Sequence, residues 1–341
     1  SRGLGDVYKR QMEDQQSSNL QNMKLKNYLK GYCKMDKVVV ITGPTAIGKT
    51  KLSIAIAQKL NTEIINGDAY QVYRKMNIGT AKPSKEEMKG IVHHLLDYID
   101  PSDAYSVADY QRDVRNCISE MVSRKKIPLI VGGSGLYIDS VIKDYRFQEN
   151  KHSFHDSDEA YHALSNEELH AILQKLDFDM AKIIHPNNRK RVLRAIELCK
   201  SPIAKDSRSH RNDFYYETLL IFLSDNREDL YERINHRVDR MIQNGLVDEV
   251  QSIGVNGFSQ TSQAAIGYKE CISYLNGEMT LEEMIELIKK NSRHYAKRQF
   301  TWFKNKTNAT IIHIDTKHFE KTIEEVYDFI CLLYTSDAAD D

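Results

Sequence analysis

Short runs of branched apolar residues alternate along this chain with stretches whose apolar positions recur every three or four residues. Val38-Val39-Val40-Ile41 is unbroken and stops at Gly43, the pattern of a strand buried on both faces. Residues 51–60 place Leu52, Ile54, Ala55, Ile56 and Leu60 as a helix would, and Glu63-Ile64-Ile65 predicts a second strand. Residues 106–124 predict a long helix through Val107, Tyr110, Val114 and Ile118, followed by a strand over 127–131 that ends at Gly132-Gly133. Residues 219–223 and 310–314 predict two further strands. After the first of these, Asp225 and Glu228 have the spacing of a helix N-cap and its N3 partner. The helix they open carries Leu230, Ile234, Val238 and Met241 on one face, and Arg233 and Arg237, four apart, on another. Tyr295, Phe300, Trp302 and Phe303 read as core.

Strands alternating with helices imply an α/β fold with a mainly parallel sheet. Between 144 and 216 helical periodicity takes over, so the expected organisation is a core in two parts, 35–143 and 217–330, around a helical insertion at 144–216. Residues 1–34 read as an N-terminal extension that is partly non-native, and 331–341 as a non-native tail, because neither end fits the pattern beside it. Met12, Met23 and Met35 are candidate starts, Met35 the most economical because it directly precedes the first strand. A length of 341 residues suits two domains or one with a large insertion. With 48 basic and 48 acidic residues there is no global excess of positive charge, so any nucleic-acid surface has to be local. Such clusters exist: Lys182, Arg189, Lys190, Arg191, Arg194, Lys200, Lys205, Arg208 and Arg211 in the insertion, and Lys289, Lys290, Arg293, Lys297 and Arg298 on a later helix. Five scattered cysteines without a CxxC pair argue against a zinc or disulfide framework and for a cytoplasmic setting. No apolar run is long enough for a membrane helix.

The chemistry is concentrated in Gly43-Pro44-Thr45-Ala46-Ile47-Gly48-Lys49-Thr50, a G-x-x-x-x-G-K-[ST] loop between a strand and a helix. In such a loop the backbone N–H groups curl round an anion, the lysine adds charge and the hydroxyl of Thr50 can ligate Mg²⁺. By itself the motif leaves an ATPase, a GTPase or a small-molecule kinase open. No apolar strand ends in a metal-binding Asp, and there is no guanine-reading Asn-Lys-x-Asp, so the polyphosphate need not belong to a nucleotide. Ligands of parallel sheets bind beyond the carboxyl ends of the strands. That edge is expected to gather the loop, Asn66-Gly67-Asp68, Gly132-Gly133-Ser134 and the arginines Arg233 and Arg237. An anion cradle, two arginines, a hydroxyl and one carboxylate suit displacement of a diphosphate by a nucleophile that must lose a proton.

An ordered set of longer segments resembles the bacterial tRNA dimethylallyltransferases: GPTAIGKT (43–50), GDAYQVYRKMNIGTAKPS (67–84), HHLLDYIDPSDAYSVADY (93–110), PLIVGGSGLY (128–137), HPNNRKRVLRAIE (185–197), LYERINHRVDRM (230–241), AIGYKE (265–270) and AKRQFTWFKN (296–305). The resemblance implies a P-loop core with an inserted, tRNA-binding helical domain. It implies transfer of a dimethylallyl group from dimethylallyl diphosphate to the adenine beside the anticodon, with Mg²⁺ and with no obligate protein partner. It assigns Asp68 as catalytic base, Ser134 as a hydroxyl near the reacting groups, and Arg237 as a diphosphate ligand beside Arg233. Gly43, Thr45, Ala46, Ile47, Gly48, Lys49 and Thr50 would receive the diphosphate. The tRNA-contacting segments would be Asp68, Ala69, Tyr70 and Gln71, then Lys190, Arg191, Val192, Leu193 and Arg194, then Ala264, Ala265, Ile266, Gly267, Tyr268 and Lys269. Ala69 and Ser134 depart from the Ser and Thr usual in the family.

Overall fold

The computed structural model describes residues 35–145, 147, 161, 163–200 and 214–335. The chain divides into Ser1–Lys37 and Val38–Asp341, and the architecture below is that of the second unit. Six strands form one sheet: β1 (Lys37–Thr42), β2 (Ile64–Gly67), β3 (His93–His94), β4 (Leu129–Gly132), β5 (Glu217–Ser224) and β6 (Thr310–His313), in the order β3-β2-β4-β1-β5-β6. The pairings β1·β4, β2·β3, β2·β4 and β5·β6 are all parallel.

Alternate side chains of a strand point to opposite faces, and here each face feeds its own core. Val38, Val40, Ile65, Ile130, Leu220 and Phe222 enter one cluster, with Tyr110, Val114, Ile118 and Met121 from α3 (Val107–Ser123). Val39, Ile41, Ile64, Leu129, Ile221 and Leu223 enter the other, with Leu52 and Ile56 from α1 (Lys49–Leu60) and Ile323, Val326 and Ile330 from α13 (Phe319–Thr335). The unbroken β-branched runs in the sequence reflect this double burial. In chain order the short α2 (Lys85–Met88) precedes α3, and α4 (Gly135–Ile142) follows β4. Capping boxes at Ser84 with Glu87 and at Ser106 with Asp109 start α2 and α3.

Three helices, α5 (Asn166–Leu176), α6 (Phe178–Ile183) and α7 (Arg189–Lys200), pack around their own small core of Leu169, Leu173, Ala181, Ile184, Val192 and Ile196. They occupy the stretch read as a helical insertion. Lys205, Arg208 and Arg211, the extension 1–34 and positions 336–341 lie outside the described residues. After β5 come α8 (Arg227–Gln243), α9 (Leu246–Ile253), α10 (Gln260–Gln263), α11 (Tyr268–Leu275) and the 26-residue α12 (Leu281–Lys306).

The structure corrects several sequence readings. Asn226, not Asp225, caps α8: its side chain accepts the N–H of Glu228, while Asp225 pairs with Arg233. The two neighbouring side chains compete for one cap, and the arginine takes the fully charged one. Strand β3 was not anticipated. Independently of the reading of 331–341 as a non-native tail, helix α13 runs through 331 to Thr335. Of the aromatics assigned to the core, Phe303 is fully buried, whereas Phe300 is 37% exposed and rests its edge on Phe222.

Candidate active site

A cavity of about 1040 Å³ opens at the carboxyl edge of the sheet. The P-loop forms one wall. Gly48 has φ 95° and ψ 18°, left-handed values that a residue with a Cβ rarely adopts, and Ala46 is held at φ 61°. These two inversions curl the chain between β1 and α1 and turn residues 45–50 toward the cavity. Lys49 Nζ donates to the carbonyls of Gly43 and Pro44, both at 2.8 Å. Arg233 reaches in from α8, donating to the Ala46 carbonyl at 3.2 Å and pairing with Asp225. Arg237, one turn further along α8, also lines the cavity.

Asp68 follows β2. Its backbone N–H donates to Asn66 Oδ1 at 3.0 Å, and its Oδ1 accepts the Tyr70 N–H at 2.9 Å, a compact Asx turn. Asn66 in turn donates to the carbonyls of Asp68 and Leu95, and Tyr110 donates to the Asn66 carbonyl. The carboxylate is thereby aimed from a backbone that cannot shift easily. Ser134 does not line the cavity. It lies buried behind Asp68, its hydroxyl accepting the Ala69 N–H at 3.0 Å.

Burial dominates the electrostatics. Desolvation raises the pKa of Asp68 above the ordinary carboxylate value, against the opposing pull of the Tyr70 amide, Lys49 and Arg237. Desolvation, then repulsion from Arg237, lowers Lys49 to about 7, and desolvation lowers Arg237 as well. A bound diphosphate would favour the charged lysine. Diphosphate binding at pH 8 is therefore expected to take up about one proton more in the wild type than in Lys49→Met. Affinity should weaken as pH rises above 7, since the protonated lysine is the form that binds. Calorimetry in two buffers of different ionisation enthalpy measures the uptake; equal values for the two proteins would remove Lys49 from the diphosphate site.

The remaining predicted residues fall into distinct places. Tyr70, Gln71, Ala264, Ala265, Ile266 and Lys269 line the cavity. Gln71 commits its amide to the carbonyls of Thr80 and Ala81, which folds that loop over the site. Ala69, Gly267 and Tyr268 are buried, and the Tyr268 hydroxyl donates to Glu249 at 2.6 Å. On α7, Lys190, Arg191 and Arg194 are exposed, while Val192 packs in the helical core and Arg189 binds the carbonyls of Leu164 and Tyr161. The structure does not bring α7 to the cavity. It does bring there three residues the sequence reading did not select for the site, Tyr295, Arg298 and Gln299 of α12. The signals for them in the sequence are the basic cluster that includes Arg298 and the family-like segment 296–305 that includes Gln299.

A P-loop at the carboxyl edge of a parallel sheet, with Lys49, Arg233, Arg237 and the desolvated Asp68 around one cavity, is the arrangement of a group-transfer enzyme and suits an anionic substrate. Comparison with known proteins narrows this class. The sequence profile described as IPP transferase matches residues 71–306. The tRNA dimethylallyltransferase of Bacillus licheniformis is 44% identical over 301 residues, spanning 86% of this chain and 96% of that protein. The Bacillus subtilis protein of the same name is 48% identical over 280 residues, 80% of this chain and 89% of its own length. A crystal structure of the Bacillus halodurans tRNA isopentenylpyrophosphate transferase superposes with TM-score 0.67 at 42% identity, covering 90% of this chain and all of that one. A eukaryotic dimethylallyltransferase described as acting on tRNA superposes with TM-score 0.73 at 30% identity, over 87% of this chain and 80% of that one. The chain belongs to the IPP transferase family.

Proposed function

We propose that this protein transfers a dimethylallyl group from dimethylallyl diphosphate to the exocyclic amine of the adenine immediately 3′ of the anticodon, in tRNAs that read codons beginning with U, with release of diphosphate. The observation that carries this reading is the meeting of Asp68 with Lys49 and Arg237 in one cavity. The base and the leaving-group cations are close enough to perturb one another.

The amine is a poor nucleophile because its lone pair is delocalised into the ring. As its nitrogen bonds to C1 of the dimethylallyl group, the C1–O bond breaks and its electron pair leaves on the diphosphate. The N–H proton passes to the Asp68 carboxylate, which burial has made more basic than an exposed one. Lys49, Arg233, Arg237 and the loop amides face the charge that gathers on the leaving oxygen. Ser134 acts from behind, holding the Ala69 amide and so the turn that carries Asp68. No cluster of three His, Cys, Asp or Glu suited to a metal exists among the described residues. The exposed hydroxyl of Thr50 on the cavity wall, with substrate oxygens and water completing the shell, suits Mg²⁺, which keeps several waters and binds few protein oxygens. Such an ion would add charge stabilisation at the leaving group.

The exposed cations of α7 offer a phosphate-binding face away from the cavity, with the acceptor base turned out of its loop to reach Asp68. With tRNA as acceptor, the working compartment is the cytoplasm. Incubation with labelled dimethylallyl diphosphate, Mg²⁺ and unmodified tRNA is expected to label the tRNA; phosphate transfer from ATP without prenylation would overturn the reading. tRNA affinity is expected to fall steeply with salt, by about a thousandfold between 50 and 200 mM if some six phosphates are contacted. Lys190→Ala with Arg191→Ala should flatten that slope by roughly two, as filter binding across a salt series would register.

A further inference from the structure

Gln299 of α12 is buried, and both ends of its amide are engaged across the fold. Its Oε1 accepts the Thr45 N–H at 3.0 Å, and its Nε2 donates to the Gly133 carbonyl at 2.9 Å. An amide N–H can only donate and a carbonyl can only accept, so the side chain has a single workable orientation. Its partners lie 254 and 166 positions away in sequence, in two different loops. Thr45 belongs to the loop that faces the polyphosphate. Gly133 directly precedes Ser134, whose hydroxyl holds the amide of the residue after Asp68. One side chain therefore bridges the donor loop and the support of the base.

The sequence makes room for this bridge. A Cβ on Gly133 would stand 2.1 Å from Gln299 Nε2, so only glycine permits the amide to approach. Tyr295, one turn earlier on α12, contacts Ser134 and lies 3.5 Å from the Gly133 carbonyl, reinforcing the same joint. Helix α12 thus touches both halves of the site through two residues on one face.

We propose that Gln299 is a positioning residue that sets the distance between the diphosphate loop and the Asp68 carboxylate during prenyl transfer; the proposal rests on the function argued above. A displacement at carbon needs the nucleophile, the reacting carbon and the leaving oxygen in line, and a misplacement near 1 Å can cost about a hundredfold in rate. Gln299→Met keeps the shape of the side chain and removes both hydrogen bonds. It is expected to lower kcat about a hundredfold with tRNA binding unchanged.

Gln299→Glu is the sharper probe. As a carboxylate it still accepts from Thr45 but repels the Gly133 carbonyl. Once protonated it regains an O–H donor and copies glutamine. The ratio of its kcat to that of the wild type is expected to climb as pH falls from about 8 to about 6. A side chain that merely stabilised the fold would give the same ratio at both pH values. A flat ratio therefore overturns the proposal even where the Met variant is too unstable to assay. A wild type that transfers no label from dimethylallyl diphosphate removes the proposed function and this role with it. A wild type that transfers label while both variants stay within about threefold of it overturns the role of Gln299 alone.

Discussion

Asp68→Asn is expected to slow prenyl transfer by about two to four orders of magnitude, the range for losing a general base, while tRNA binding persists. Asparagine keeps the size of the side chain, and its Oδ1 can still accept the Tyr70 N–H that orders the turn. What it loses is the capacity to take a proton. The pH profile supplies the complementary test. A base works deprotonated, so wild-type kcat/KM should fall on the acid side as pH drops through the raised pKa of Asp68, at a pH above the ordinary carboxylate range. The variant should lack that limb. Single-turnover prenylation of tRNA, followed against pH for both proteins, measures both effects; turnover near the wild-type rate in Asp68→Asn would assign the proton to another group.

Gly132→Ala is expected to be the most damaging small substitution in the sheet. Gly132 pairs with Gly67 at the ends of β4 and β2, and an added Cβ would stand 2.0 Å from the Gly67 carbonyl carbon and oxygen. Both neighbours are backbone within a central ladder, so no rotamer change relieves the clash. Overpacking usually costs about 1–3 kcal/mol, and rigid partners place this case at the upper end. Melting should fall by roughly 4–5 °C on that figure. The strands would part where Asp68 and Ser134 emerge, so activity should fall further than stability alone dictates. A thermal melt within a degree or two of the wild type would show that the two strands are not so tightly joined.

The parts of the fold that rest on local pattern were legible in the sequence. Val38 to Ile41 announces a doubly buried strand because each residue must satisfy one core or the other, and the structure sends them alternately to the two clusters. Residues 43–50 announce their loop because few sequences tolerate its backbone. The parts that rest on distant partners were not legible. Strand β3 is two histidines with no period to read, and it exists because Ile64 and Ile65 offer a free edge. Glu249 gathers the amides of Asn77, Ile78 and Gly79 and the hydroxyl of Tyr268. In the sequence it is one acid on an amphipathic helix. Asp225 has the spacing of a cap but precedes the true cap, Asn226, and pairs instead with Arg233 in the second turn of α8. In each case the deciding contact lies outside the window in which spacing carries information.

The bonds of Lys49 to its own loop bear on turnover. On the proposed function, an arriving diphosphate would compete for the Lys49 Nζ with the carbonyls of Gly43 and Pro44, each 2.8 Å away. Binding there is an exchange of partners, and the gain in affinity is only the difference between phosphate oxygens and two carbonyls already in place. The same exchange runs in reverse after transfer. When the product departs, the lysine would have a ready set of acceptors to return to. On the proposed function, the loop would trade tightness of donor binding for ease of product release.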